Sequence, residues 1–203
     1  MENKEDDFRE KLKEWDVMFL SETWLQKKGW ERVKKWLPKG YVWEVQQAGR
    51  KSKKGRAMGG MIVGIREGIE REKEIEERRQ EGLQMVKVNL GGEWWRLVGV
   101  YVNGDLEEKL RQLREWMEER EEGVSVVIGG DFNARTGKEG GGIGEEEEGG
   151  IGERERNSKD EKMNREGKKL CGFLRELGWS IMNGCIRGDE EGEWTYTGGK
   201  GGR

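Results

Sequence analysis

Four polar residues stand just past apolar runs, and together they could do chemistry. Glu22 closes DVMFLSE, Tyr101 closes LVGVY, and Asp131 and Asn133 follow Val126, Val127 and Ile128 across Gly129-Gly130 in VVIGGDFNARTG. β-Branched runs favour strands and a glycine pair lets the chain bend sharply, so each polar group sits at a strand's C-terminal mouth, where sites in α/β proteins collect. A lone carboxylate in such a place is more often a turn residue or a helix cap. Two carboxylates, a phenol and a carboxamide, with no cysteine or histidine among them, suit instead a hard oxygen-preferring cation and a phosphate ester. On that reading Glu22 binds Mg²⁺ (or Mn²⁺) and Asp131 orients or deprotonates the attacking water. Asn133 and Tyr101 donate hydrogen bonds to phosphoryl oxygens as charge builds.

Alternating strands and helices must position these groups. Short apolar runs predict strands at 16–21, 41–47, 59–66, 83–90, 94–102, 124–129 and 179–183. A first helix carries Phe8, Leu12 and Trp15 at spacings of four and three. The clearest helix spans 105–121, with Leu106, Leu110, Leu113, Trp116 and Met117 on one face and Asp105 as its cap. Another spans 165–177, with Leu170, Phe173, Leu174 and Leu177. Mixed strands with interspersed helices indicate an α/β fold. The stretch 137–156, GKEGGGIGEEEEGGIGERER, lacks apolar periodicity and is expected to be a long disordered loop. The charge-dense connection 70–82 reads as a solvated hairpin extension.

The 203 residues suit a single domain, 1–203, although 32% hydrophobic content is thin and 40% charged is high; ten tryptophans offset part of that deficit. Net charge is −3, so no global basic field attracts nucleic acid, and DNA contact needs a local patch. GRKSKKGRAMGG supplies one in Arg50, Lys51, Lys53, Lys54 and Arg56. Trp94-Trp95 reads as core and sheet edge. Cys171 and Cys185 match no disulfide framework or metal-ligand spacing and read as free thiols. The charged start and the lack of any apolar run near the roughly 18 residues a membrane span needs predict an intracellular protein of nucleus or cytoplasm, without membrane contact. Glycine, lysine, arginine and glutamate dominate, all writable in purine-only codons, which points to nucleotide bias behind much of the surface charge.

LSETW, VYVN, GDFNARTG and EWTYTGGKGGR, in this order, resemble the endonuclease/exonuclease/phosphatase superfamily, and specifically the endonuclease domain of non-LTR retrotransposons. NREGKKLCGFLRELGWSIMNG resembles the helix and strand that follow GDFNA in those elements. The resemblance implies a two-sheet α/β sandwich with flanking helices. It also implies a metal-dependent DNA endonuclease whose nick primes a reverse-transcriptase domain encoded downstream. Within it Glu22 is a metal ligand, Tyr101 a phosphate contact, Asp131 the water-activating carboxylate and Asn133 a transition-state stabiliser. The family's first strand, ending in an asparagine, and its terminal Asp-His pair have no match here, and the sequence holds no histidine. The expectation is therefore a fold lacking its first and last strands and an incomplete active site. Two other readings stay open: another phosphoesterase of the superfamily, acting on abasic DNA, lipid head groups or phosphoinositides, and a catalytically inactive remnant.

Overall fold

The computed structural model describes residues 2–50, 55, 57–72, 80–119, 121–141, 143–145, 151–153 and 156–195. The chain divides into two compact units, Met1–Asp105 with Gln112–Phe132, and Leu106–Arg111 with Asn133–Arg203. The sequence reads as one domain, 1–203.

The first unit holds two sheets. One has the order β1–β3–β2, from β1 (Val17–Ser21), β2 (Tyr41–Gln46) and β3 (Met61–Arg66), and is antiparallel throughout. The other has the order β4–β5–β6–β7, from β4 (Arg71–Glu72), β5 (Leu83–Leu90), β6 (Glu93–Tyr101) and β7 (Val124–Asp131). Only β6 and β7 run parallel, with Tyr101 opposite Asp131. Side chains alternate between sheet faces, and the two faces of β1 go to different cores. Met18 and Leu20 pack with Leu12, Trp30, Leu37, Tyr41 and Ile62, under the helices α1 (Glu2–Leu12) and α2 (Lys27–Trp36). Val17 and Phe19 join Val63, Ile65, Val86 and Val88 between the sheets. Each such aliphatic side chain, once buried, stabilises by about 1.5–3 kcal/mol. Phe19 lies so close over Gly99 that a Cβ there would meet its ring at 2.3 Å. β1 and β6 approach at that point only because position 99 is glycine.

Helix α3 (Leu106–Glu118) follows β6 in the chain, and its share of the first unit buries Leu113, Trp116 and Met117. The second unit contains the pair β8 (Ile143–Glu145) and β9 (Ile151–Glu153) and the helix α4 (Arg165–Leu177). Asn164 caps α4 by accepting from the Gly167 amide, and Gly178 ends it in the left-handed conformation. Buried Arg156 ties this unit together, donating to the carbonyls of Gly137, Glu139 and Asn183 and to Thr136 Oγ1. Both cysteines are free, as expected. Among the described residues no helix is long and apolar enough to cross a membrane.

Several elements differ from the sequence reading. α2 was not expected; Trp30, Val33 and Trp36 have helical spacing, but Gly29 and the charged residues between them hide it. The strand expected at 179–183 does not form. Gly178 turns the chain, and the Ile181 amide makes a single bond, to Gly140 O. In the first helix only Leu12 reaches the core, while Phe8 and Trp15 are exposed. β7 is half-buried at Val126–Ile128 and exposed from Gly129 to Asp131; among the described residues it is the last strand of its sheet. Within 137–156 the structure places the β8–β9 pair, and the Arg156 amide bonds to Lys138 O, so backbone pairing supplies what apolar periodicity does not. Residues 142, 146–150, 154 and 155 of that stretch lie outside the described residues.

Candidate active site

β1, β6 and β7 deliver three of the four expected side chains to one place in the first unit. Tyr101 and Asp131 are register partners on neighbouring parallel strands, so they share a face of the sheet. The Tyr101 hydroxyl donates to Glu22 Oε1, from the loop that follows β1. Tyr101 is 6% exposed, whereas Glu22 and Asp131 both reach solvent. Burial, then the Glu22 carboxylate, then the charge of Asp131 push the phenol up to about 12. Tyr101 therefore stays protonated through the physiological range and works as a donor.

Local backbone constraints explain how these groups are held. Gly130 has φ 148°, and a Cβ there would lie 1.9 Å from Val100 O. Only glycine lets β7 run this close to β6 just before Asp131, whose carbonyl then accepts from the Val102 amide at 2.8 Å. The Tyr101 amide bonds to Gly82 O, also at 2.8 Å. Gln46 staples that turn by donating to Gln80 O and Leu83 O and accepting from the Gly82 amide. The loop after β1 is fixed by bonds from the Thr23 amide to Gly60 O and from the Trp24 amide to Gly59 O.

Among the described residues the non-glycine positions at positive φ are Glu22 (54°), Trp24 (50°) and Asn133 (50°). The left-handed region costs an L-residue about 1–2 kcal/mol, and such strain persists where the surroundings dictate it. All three positions fall within SETW and GDFNA.

Asn133 belongs to the second unit and is exposed. Arg50 is exposed, and its Nη2 donates to Gln26 Oε1 at 2.8 Å. Lys51, Lys53, Lys54 and Arg56 lie outside the described residues.

The second half of GDFNARTG serves the second unit's own architecture, which sequence reasoning missed. Arg135 forms a two-pronged pair with Asp160 at 2.8 and 2.5 Å; its amide donates to Asn164 Oδ1, and its carbonyl accepts from the Asn164 amide. The Arg135 guanidinium holds the Asp160 carboxyl below its ordinary value. Asn164, one residue before α4, was a visible helix-cap signal, but no sequence feature marked Asp160 as the partner of Arg135.

The first unit's two sheets, with Glu22, Tyr101 and Asp131 gathered at the ends of β1, β6 and β7, are an arrangement of the endonuclease/exonuclease/phosphatase fold. No protein-family profile matches the sequence, and no curated protein matches it at a significant level. Solved structures do match. The chain is similar to the endonuclease domain of TRAS1, a telomere-specific non-LTR retrotransposon, with a TM-score of 0.55 at 16% identity. That match covers 86% of this chain and 65% of the other, so this chain spans just under two thirds of that structure's length. Truncated TDP2 from Caenorhabditis elegans aligns at TM-score 0.43 and 16% identity, over 64% of this chain and 55% of that one. An AP endonuclease from Archaeoglobus fulgidus aligns at 0.42 and 13%, over 82% and 62%. The fold is thus the one the sequence motifs imply.

Proposed function

We propose that this chain is a divalent-metal-dependent phosphodiester hydrolase that nicks DNA, of the kind that opens a target site for a reverse-transcriptase domain encoded downstream. The observation that carries the reading is the convergence of Glu22, Tyr101 and Asp131 at the strand ends of this fold.

The donor set fits a magnesium-type ion. Among the described residues no three His, Cys, Asp or Glu side chains cluster as a closed metal cage. Mg²⁺ does not need one, since it is commonly held by one or two carboxylates while keeping water and taking phosphate oxygens. Glu22 and Asp131, both reaching solvent, are such a pair. Once bound, Mg²⁺ or Mn²⁺ would supply neutralisation of phosphoryl charge. Tyr101, its ionisation pushed up to about 12 and so neutral at physiological pH, holds Glu22 by hydrogen bond and offers no competing charge. Asp131 orients water and accepts its proton. Arg50, Lys51, Lys53, Lys54 and Arg56 meet the DNA backbone.

The test is nicking of supercoiled plasmid with the protein in excess, because a sequence without histidine lacks one common proton carrier and a missing transition-state group costs about 10²–10³ in rate. Slow Mg²⁺-dependent nicking, lost in EDTA and in Asp131→Ala, is expected. Nicking that survives Asp131→Ala, or none at all with the protein in excess, counts against the proposal.

A further inference from the structure

Trp24 is 55% exposed, two residues beyond Glu22. A bulky side chain at φ 50° is an unusual arrangement. Its amide is bonded to Gly59 O, so the loop is pinned while more than half of the residue's surface stays accessible. The residue before Gly59 is Met58, 36% exposed and bridged through the backbone to Gly49. Next in the chain comes Arg50, held by Gln26, two residues beyond Trp24. One loop cluster beside the candidate metal carboxylate thus presents an indole, a thioether and a guanidinium.

We infer that Trp24, flanked by Met58, is a stacking surface for an unpaired DNA base next to the phosphate addressed by Glu22 and Asp131. The inference rests on the DNA-nicking reading and adds to it a substrate preference. An exposed indole has little to offer a phosphate, but it stacks on any base face, which a fully paired duplex keeps hidden. Arg50, exposed and held by Gln26, complements a phosphate beside such a base. The preferred substrate then carries a single strand, mismatch or other unstacked step at the cleavage point, where exposing the base costs least.

The same sequence supplies a control. Trp15 is 60% exposed but precedes β1, whereas Trp24 follows it, so the two lie toward opposite ends of that strand. The experiment measures binding of the full 203-residue chain in EDTA, so that no hydrolysis enters the readout. The probes are fluorescein-labelled oligonucleotides carrying 2-aminopurine, single-stranded, singly mismatched or fully paired. Trp24→Ala should weaken binding to the unpaired and mismatched probes by roughly 5- to 150-fold, the span of one lost base–aromatic stack, and abolish the 2-aminopurine quenching. Trp24→Phe should keep most of both, the fully paired duplex should be unaffected, and Trp15→Ala should behave as the unaltered protein. Unchanged quenching in Trp24→Ala overturns the inference, as does an equal loss on all three probes or the same loss in Trp15→Ala. Failure of the unaltered chain to bind any probe overturns the DNA reading as well. Binding without nicking, when Mg²⁺ is restored, overturns only the hydrolase reading.

Discussion

Replacing Glu22 by Gln removes one charge from beside a buried phenol and leaves a side chain of nearly the same shape. Tyr101 rises from an ordinary value of 10 to about 12. That displacement corresponds to about 3 kcal/mol of preference for the neutral phenol. Burial is the largest cause and survives the substitution, as does the charge of Asp131, while the Glu22 charge does not. Tyr101 in Glu22→Gln should therefore titrate between 10 and 12. Tyrosinate absorbance near 295 nm reads this directly, and subtracting the curve of Tyr101→Phe isolates one of the three tyrosines. Stability follows with a definite sign. A group whose folded value is raised contributes fully below its unfolded value and loses that contribution as pH rises toward its folded one. The urea midpoint of the unaltered protein should fall across pH 10 to 12, and in Glu22→Gln the fall should start at the same pH but end sooner and be smaller. If Tyr101 still titrates near 12 in Glu22→Gln, or near 10 in the unaltered protein, the carboxylate and the phenol are not neighbours.

Other substitutions probe the supports of the site. Gly130→Ala combines left-handed strain of about 1–2 kcal/mol with crowding against Val100 O worth about 1–3, so urea denaturation should show a loss of about 2–5 kcal/mol. Gly68→Ala, at φ 92° with nothing within 4 Å, should show the strain alone, about 1–2 kcal/mol. In the second unit the Asp160 carboxyl is depressed chiefly by its bond to Arg135, so its stabilising contribution is present above the ordinary value of 3.8 and lost as pH falls below it. Asp160→Asn should flatten the acid limb of a Tm-against-pH curve, and an unchanged limb would show that the pair contributes nothing. EDTA should stop plasmid nicking, and either Mg²⁺ or Mn²⁺ should restore it, since both prefer oxygen donors.

The site was legible in the sequence to the extent that strand periodicity is. β5 falls where its apolar run predicts a strand, although Leu83, Gln84, Met85 and Val86 are buried on both faces, and α4 falls where helical spacing predicts it because Leu170 and Phe173 share one buried face. The three residues that meet do so because each ends a strand, and strand ends can be read from apolar runs. What could not be read is what depends on contacts distant in sequence. Gln46 supports the turn beside Tyr101 from across the fold, and Phe19 lies over Gly99 eighty residues away. α2 was hidden because its buried stripe is mostly tryptophan among lysines, and the false strand at 179–183 arose because alternation in a short stretch does not reveal the turn that Gly178 imposes. ARTG was read with the catalytic motif, although its arginine and threonine serve the second unit's own bonding.

The central claim is that the ends of β1 and β7 present one divalent-ion site beside Tyr101. Mn²⁺ binding followed by electron paramagnetic resonance tests it without requiring turnover, with Mn²⁺ standing for Mg²⁺ as another oxygen-preferring cation. The account predicts one bound Mn²⁺ per chain that is lost in Glu22→Gln and in Asp131→Asn. It should be retained in Asp16→Asn, whose carboxylate pairs with Arg66 beside the start of β1. Mn²⁺ binding that is absent in the unaltered protein, or unchanged when Glu22 and Asp131 lose their charge, would contradict it.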